Sequence, residues 1–217
     1  MSNTDLILKT ITFVKQQLEG AEGGHDWFHI ERVYKNALLL SQTENCDETV
    51  VALGALLHDI ADSKFHGGDE TVGPRTARNF LESHNVAEET IVHVIGIIEN
   101  ISYKGGNFER KFHSKELDIV QDADRLDAIG AIGIARAFNY GGFKNRQLYN
   151  PNIAPNLKMT KEEYKATTAP TINHFYEKLL LLKDKMNTET GKQIAQERHE
   201  YMEGFLKQFY AEWNGER

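Results

Sequence analysis

The chain has 217 residues and a formal net charge of −7, from 25 Lys and Arg against 32 Asp and Glu. That acidic balance argues against a binder of duplex nucleic acid, which needs a basic face to neutralise phosphates, and leaves small charged ligands as candidate partners. With 40% hydrophobic and 26% charged residues and a mean hydropathy of −0.51, the composition is that of a folded domain. Its longest apolar run, residues 50–57, falls far short of the roughly 18 residues that a membrane span requires.

The N-terminal MSNTDLILKT has no basic segment leading into an apolar run, so no signal peptide and a cytoplasmic location are expected. The lone Cys46 agrees, since one thiol builds no disulfide framework. Leu6, Ile7, Ile11, Val14 and Leu18 recur at helical spacing up to Gly20 and predict a first helix. A second amphipathic helix is predicted from Asp26 to about residues 43–46, with Asp26 at its N-cap position. Asp47 caps a third, ETVVALGALLHDI, which is apolar nearly all round and should be buried. Shorter helices are predicted over 70–83, where Pro74 suits a helix start, and over 88–100. Residues 116–138 keep helical spacing and read as one further helix. The Gly-, Asn- and Pro-rich stretch 139–158 reads as a long loop, of the kind that often serves binding. Two charged helices, about 161–186 and 189–213, complete an all-α chain that is expected to form a single domain over 1–217.

Four potential metal ligands stand out: His29, the adjacent pair His58 and Asp59, and an Asp within QDADRLD. The pair closes an apolar run, where two polar side chains are costly to bury unless they share a partner. A metal ion is such a partner. Imidazole favours borderline transition metals and carboxylate favours harder ions, so the mixture points to a divalent cation, Mn²⁺, Fe²⁺, Co²⁺ or Mg²⁺, rather than a structural thiolate zinc, and Mn²⁺ is the one expected. The four residues lie far apart along the chain, and periodicity alone does not bring them together.

At these residues the sequence resembles the HD-domain phosphohydrolase superfamily, whose signature is a His, a later His-Asp pair and a still later Asp, all on helices around a metal. GHDWFHIERV, LLHDIAD and QDADRLDAIGAIGIAR look like the small stand-alone bacterial members, over about residues 24–146; the helices of about 160–213 are less diagnostic. The resemblance implies His29, His58, Asp59 and Asp124 as ligands. Asp122 and Asp127 compete for the last role, although in many relatives that Asp follows a small residue and precedes a basic one, as Asp124 does. Relatives with two metals carry extra histidines on the helix after the pair. Here only His93 is offered, so one metal is expected.

Asp62 is the candidate base, and a helix continuing past the pair would place it on their face. His25 precedes His29 by one turn and suits a phosphate contact. Lys64, Lys104, Arg125, Arg136, Lys144 and Arg146 are candidate phosphate-binding cations, and Trp27, Phe28, Tyr103, Phe143 and Tyr149 are candidate base-stacking aromatics, although aromatics at helical spacing are usually core. The implied activity is hydrolysis of a (deoxy)nucleoside triphosphate to monophosphate and pyrophosphate. The alternatives are a 5′-nucleotidase acting on deoxynucleoside monophosphates, a cyclic- or signalling-nucleotide phosphodiesterase, and a metal-stabilised nucleotide-binding module without turnover. A homodimer stays open.

Overall fold

The computed structural model describes residues 2–20, 26–61, 69–101, 112–160, 163 and 166–216. The fold is all-α, with no strand among the described residues. The helices are α1 (Asn3–Gln17), α2 (Trp27–Ser41), α3 (Glu48–Leu57), α4 (Val72–Ser83), α5 (Glu88–Asn100), α6 (Lys115–Asp127), α7 (Gly130–Phe143), α8 (Thr171–Glu177) and α9 (Glu189–Trp213), with a 3-10 helix at Leu179–Lys185 before α9. Among the described residues no helix is long and apolar enough to cross a membrane. The chain divides into two compact units, Met1–Asp124 and Arg125–Arg217.

In the first unit, side-chain caps set where the helices begin. Ser2 accepts from the Asp5 N–H, Asp26 from that of His29, and Asp47 from those of Thr49 and Val50, each satisfying donors that have no partner in the first helical turn. Residues 50–57 of α3 are all buried, as the apolar run predicts, and α3 packs against α1, α2 and α5. Gly54 makes the α3–α5 approach close, because a Cβ there would lie 3.1 Å from Ile97 Cδ1. Asn36 of α2 donates to the Ala123 carbonyl of α6 at 3.4 Å, and Gln121 of α6 donates to the carbonyl of Ile101, just past α5, at 3.1 Å.

Three predicted boundaries differ. The helix expected over 116–138 is two helices, α6 and α7, because Ile129 is extended and Gly130 takes a left-handed φ of +72°. Spacing alone carried the helical pattern across this break. α7 then runs on to Phe143, so the loop begins at Lys144 rather than at 139. The helix expected over 161–186 is not continuous: Glu163 and Ala166 are helical and residues 167–170 are not, after which come α8, starting after Pro170, and the 3-10 helix, parted by Lys178 at φ −144°, ψ −58°. Proline cannot supply the N–H that a continuous helix would need there. In this second unit, Phe175 of α8 lies between Phe138 of α7 and Phe205 of α9, with ring centroids 6.0 and 5.8 Å away.

Candidate metal centre

α2 delivers His29 in its first turn, where the backbone N–H is capped by Asp26 at 3.0 Å, so Asp26 takes the capping role expected of it. α3 ends at Leu57, with His58 as its C-cap. His58 and Asp59 therefore leave the helix on a turn rather than continuing it. His29 and His58 are buried, their rings edge to face with centroids 5.3 Å apart. Ligand atoms of His29, His58 and Asp59 all lie within 4.8 Å of one another. Asp124, on α6, brings Oδ1 to 3.6 Å from His29 Nε2. Four residues from three parts of the first unit thus converge.

Whether the donor set fits a cation is tested at His58. Its Nδ1 lies 2.8 Å from the Ala55 carbonyl oxygen, which can only accept, so Nδ1 carries the proton. The opposite nitrogen of the neutral ring then presents a lone pair. Nε2 is buried with no hydrogen-bond partner, an arrangement that costs free energy unless an electron-pair acceptor sits there. A divalent cation fits. A backbone carbonyl holding the far nitrogen of a ligating histidine also fixes its tautomer and ring orientation.

The two rival acids differ from Asp124. Asp122 is fully buried. Asp127, also buried, accepts from Arg136 Nη1 at 2.6 Å. Asp124 keeps 38% of its side-chain exposure, and its Oδ1 meets a cluster histidine, His29. His93 spends Nε2 on Ser114 Oγ at 2.9 Å and Glu116 at 3.3 Å.

His25, Asp62, Lys64 and Lys104 lie outside the described residues, as does Tyr103. The remaining candidate cations belong to the second unit, and three are engaged with backbone oxygens. Arg125 donates to the Lys185 carbonyl, Arg136 to that of Asp127 as well as to its carboxylate, and Arg146 to that of Thr167 at 2.6 Å. Lys144 is exposed, with Nζ 4.9 Å from the Phe143 ring centroid. Tyr149 packs edge-on against Tyr210 and Trp213, and Trp27 lies under Lys15. Phe28 and Phe143 are each 63% exposed. Arg198 went unnoticed in the sequence although it donates to the Leu126 carbonyl of α6; nothing local in the sequence links two positions so far apart.

The HD domain family model matches residues 27–129, a span that contains the whole cluster. The chain is 38% identical over 200 residues to YpgQ of Bacillus subtilis, covering 91% of this chain and 88% of that one. The crystal structure of YpgQ in complex with ADP superposes with a TM-score of 0.77 at 34% identity, covering 98% of this chain and 97% of that one. An HD-superfamily hydrolase from Bacillus thuringiensis is 46% identical with a TM-score of 0.79, covering 98% and 99%. Family model, relatives and fold agree: the chain belongs to the HD-domain superfamily of hydrolases.

Proposed function

We propose that this chain is a metal-dependent (deoxy)nucleoside triphosphate pyrophosphohydrolase that releases nucleoside monophosphate and pyrophosphate, and that it works with one divalent ion, Mn²⁺ by preference. The observation that carries the reading is the buried, unpartnered Nε2 of His58 beside His29 and Asp59. ADP in the YpgQ crystal structure supports a nucleotide as the substrate.

His29, His58, Asp59 and Asp124 would hold the ion. When bound, a divalent cation supplies Lewis acidity to water and to a phosphoryl oxygen. The Ala55 carbonyl keeps the proton on His58 Nδ1, so the ring offers Nε2 as a donor throughout turnover. Asp62 orients the attacking water and accepts its proton, and His25 contacts phosphate. The water oxygen bonds to the α-phosphorus as the bond from that phosphorus to the α,β-bridging oxygen breaks, and pyrophosphate leaves with that oxygen. Offsetting the charge on the leaving group is the role of the candidate cations, Lys64 and Lys104 first.

The test is to incubate metal-stripped protein with nucleoside mono-, di- and triphosphates plus Mn²⁺, Mg²⁺ or Co²⁺, with His58→Ala as control. Monophosphate and pyrophosphate from triphosphates, absent in the control, are expected. Phosphate from monophosphates alone would replace this reading with the 5′-nucleotidase, and binding of nucleotide without turnover would replace it with a non-catalytic module.

A further inference from the structure

Two of the four cluster residues stand on helices that the first unit must hold at a set distance, His29 on α2 and Asp124 on α6. The buried Leu117, Ile119, Val120 and Ala123 seat α6 by apolar contact; Val120 Cγ2, for example, would lie 3.5 Å from a Cβ at Gly54 of α3. Such contact is non-directional. Among the described residues the backbone of α6 is also not drawn along a neighbouring helix as that of α2 is along α3, or that of α3 along α5. Hydrogen bonds, which are directional, therefore carry most of the control over the rotation and register of α6.

At the start of α6, Glu116 accepts from the Asp47 N–H at 2.9 Å, and His93 Nε2 meets Ser114 Oγ at 2.9 Å. Both ties lie two turns or more before Asp124, roughly 12 Å along the axis. Gln121 is nearer, but its partner is the Ile101 carbonyl, just past α5, which carries none of the four ligands. Asn36 of α2 acts at the residue before Asp124: its Nδ2 donates to the Ala123 carbonyl at 3.4 Å. Asn36 follows His29 by two helical turns, so the two side chains share one face of α2. Within the first unit α2 thus meets α6 at two points. One is His29 Nε2 against Asp124 Oδ1, at 3.6 Å. The other is Asn36, roughly 10 Å further along α2, against the carbonyl adjoining Asp124. Two contacts so spaced oppose both sliding and rolling of one helix on the other.

We infer that Asn36 is a positioning residue for the metal centre: through the Ala123 carbonyl it fixes α6 against α2 and so holds the Asp124 carboxylate at the distance from His29 that a shared cation requires. The amide is suited to this. It offers a donor to a carbonyl that can only accept, and it brings no charge that would compete for the cation. The leverage is geometric: a ligand left about 1 Å too loose spoils a metal site even when every donor is present.

This inference rests on the metal-centre reading above, and the experiment separates the two. Mn²⁺ affinity is measured by calorimetry on folded metal-stripped protein, alongside urea unfolding, for wild type, His58→Ala, Asn36→Ala, Asn36→Leu, Asp124→Asn, the Asn36→Ala/Asp124→Asn double variant and Ile91→Val. Ile91 is buried in α5 and reports what modest instability of the first unit does by itself. Asn36→Ala and Asn36→Leu are expected to weaken Mn²⁺ binding about tenfold, as when a group supporting a ligand is removed, while Ile91→Val binds as wild type does. Because Asn36 acts through Asp124, adding Asn36→Ala to Asp124→Asn should cost no more than about twofold further, where independent sites would give the full loss again. The visible absorption of saturating Co²⁺, which follows the number and geometry of its ligands, should change in Asn36→Ala and not in Ile91→Val. Wild-type affinity or a wild-type Co²⁺ spectrum in Asn36→Ala, equal weakening in Ile91→Val, or a full further loss in the double variant would each overturn the positioning role while the metal centre stands. If wild type and His58→Ala do not differ, the metal centre itself falls and the inference with it.

Discussion

At His58 a single backbone acceptor decides which ring nitrogen faces the cluster. With Nδ1 committed to Ala55, Nε2 is left as a lone pair in a buried space, and the neighbouring His29 and Asp59 supply what a cation needs besides. The choice among three acids in one short segment follows from the same kind of detail. Residues two apart on a helix do not share a face, so Asp122 is buried away from solvent while Asp124 meets His29, and Asp127, at the last position of α6, meets Arg136. Asp124→Asn is therefore expected to lower Mn²⁺ affinity at least tenfold with little change in stability, since its side chain is partly exposed. Asp122→Asn should do the reverse, lowering stability and leaving Mn²⁺ affinity within about threefold. Calorimetric titration with Mn²⁺ and urea unfolding of both variants check this, and a loss of affinity confined to Asp122→Asn would transfer the ligand role.

At the scale of the helices, legibility followed the range of the signal. α3 could be read because its apolar run is buried on every side, and α2 because Asp26 caps it and its apolar stripe persists for the whole helix. The break between α6 and α7 could not, because Leu126, Ile129 and Ala131 keep helical spacing across a position where the backbone turns left-handed. The fate of Gly133 depends on that break. A Cβ there would collide with the Ala128 carbonyl, which is backbone and cannot swing aside, whereas a Cβ at Gly204 of α9 would meet nothing within 4 Å. Alanine favours a helix interior over glycine by about 1 kcal/mol. Gly204→Ala is therefore expected to stabilise by up to about 1 kcal/mol, and Gly133→Ala to destabilise by about 1–3 kcal/mol, the usual cost of overpacking. Urea unfolding of the pair measures both signs, and a stabilised Gly133→Ala would show that α7 starts later than residue 130.

Over the whole molecule, the family was readable because four chemically distinctive residues, His29, His58, Asp59 and Asp124, sit in recognisable motifs. What the arginines do was not, because their partners are carbonyl oxygens, which every residue carries and no sequence distinguishes. Arg125, Arg136 and Arg146 read as phosphate-binding cations, yet each makes a backbone contact that only folding could reveal. Arg146 also bears on how the molecule meets acid. His174 of α8 has its pKa pushed down to about 3 from an ordinary 6.5, chiefly because burial disfavours the imidazolium, with the charges of Lys178 and Arg146 adding to the effect. The unfolded chain takes up a proton at this histidine near pH 6.5, whereas the folded chain resists it until about pH 3. Protonation therefore favours unfolding throughout that window: the stability is fully present above pH 6.5 and is lost as pH falls toward 3. Between pH 7 and pH 5 the loss from this one group is at most about 2 kcal/mol, and less to the extent that solvent reaches the ring. His174→Gln cannot take up the proton, so its stability should fall less over the same interval, by up to that amount. Urea unfolding at pH 7, 6 and 5, followed by tryptophan emission, compares the two slopes. Trp213 lies in the same unit as His174, against Tyr149 and Phe209, and reports on its unfolding. Parallel slopes for wild type and His174→Gln would mean that the imidazole is protonated as readily in the folded chain as in the unfolded one.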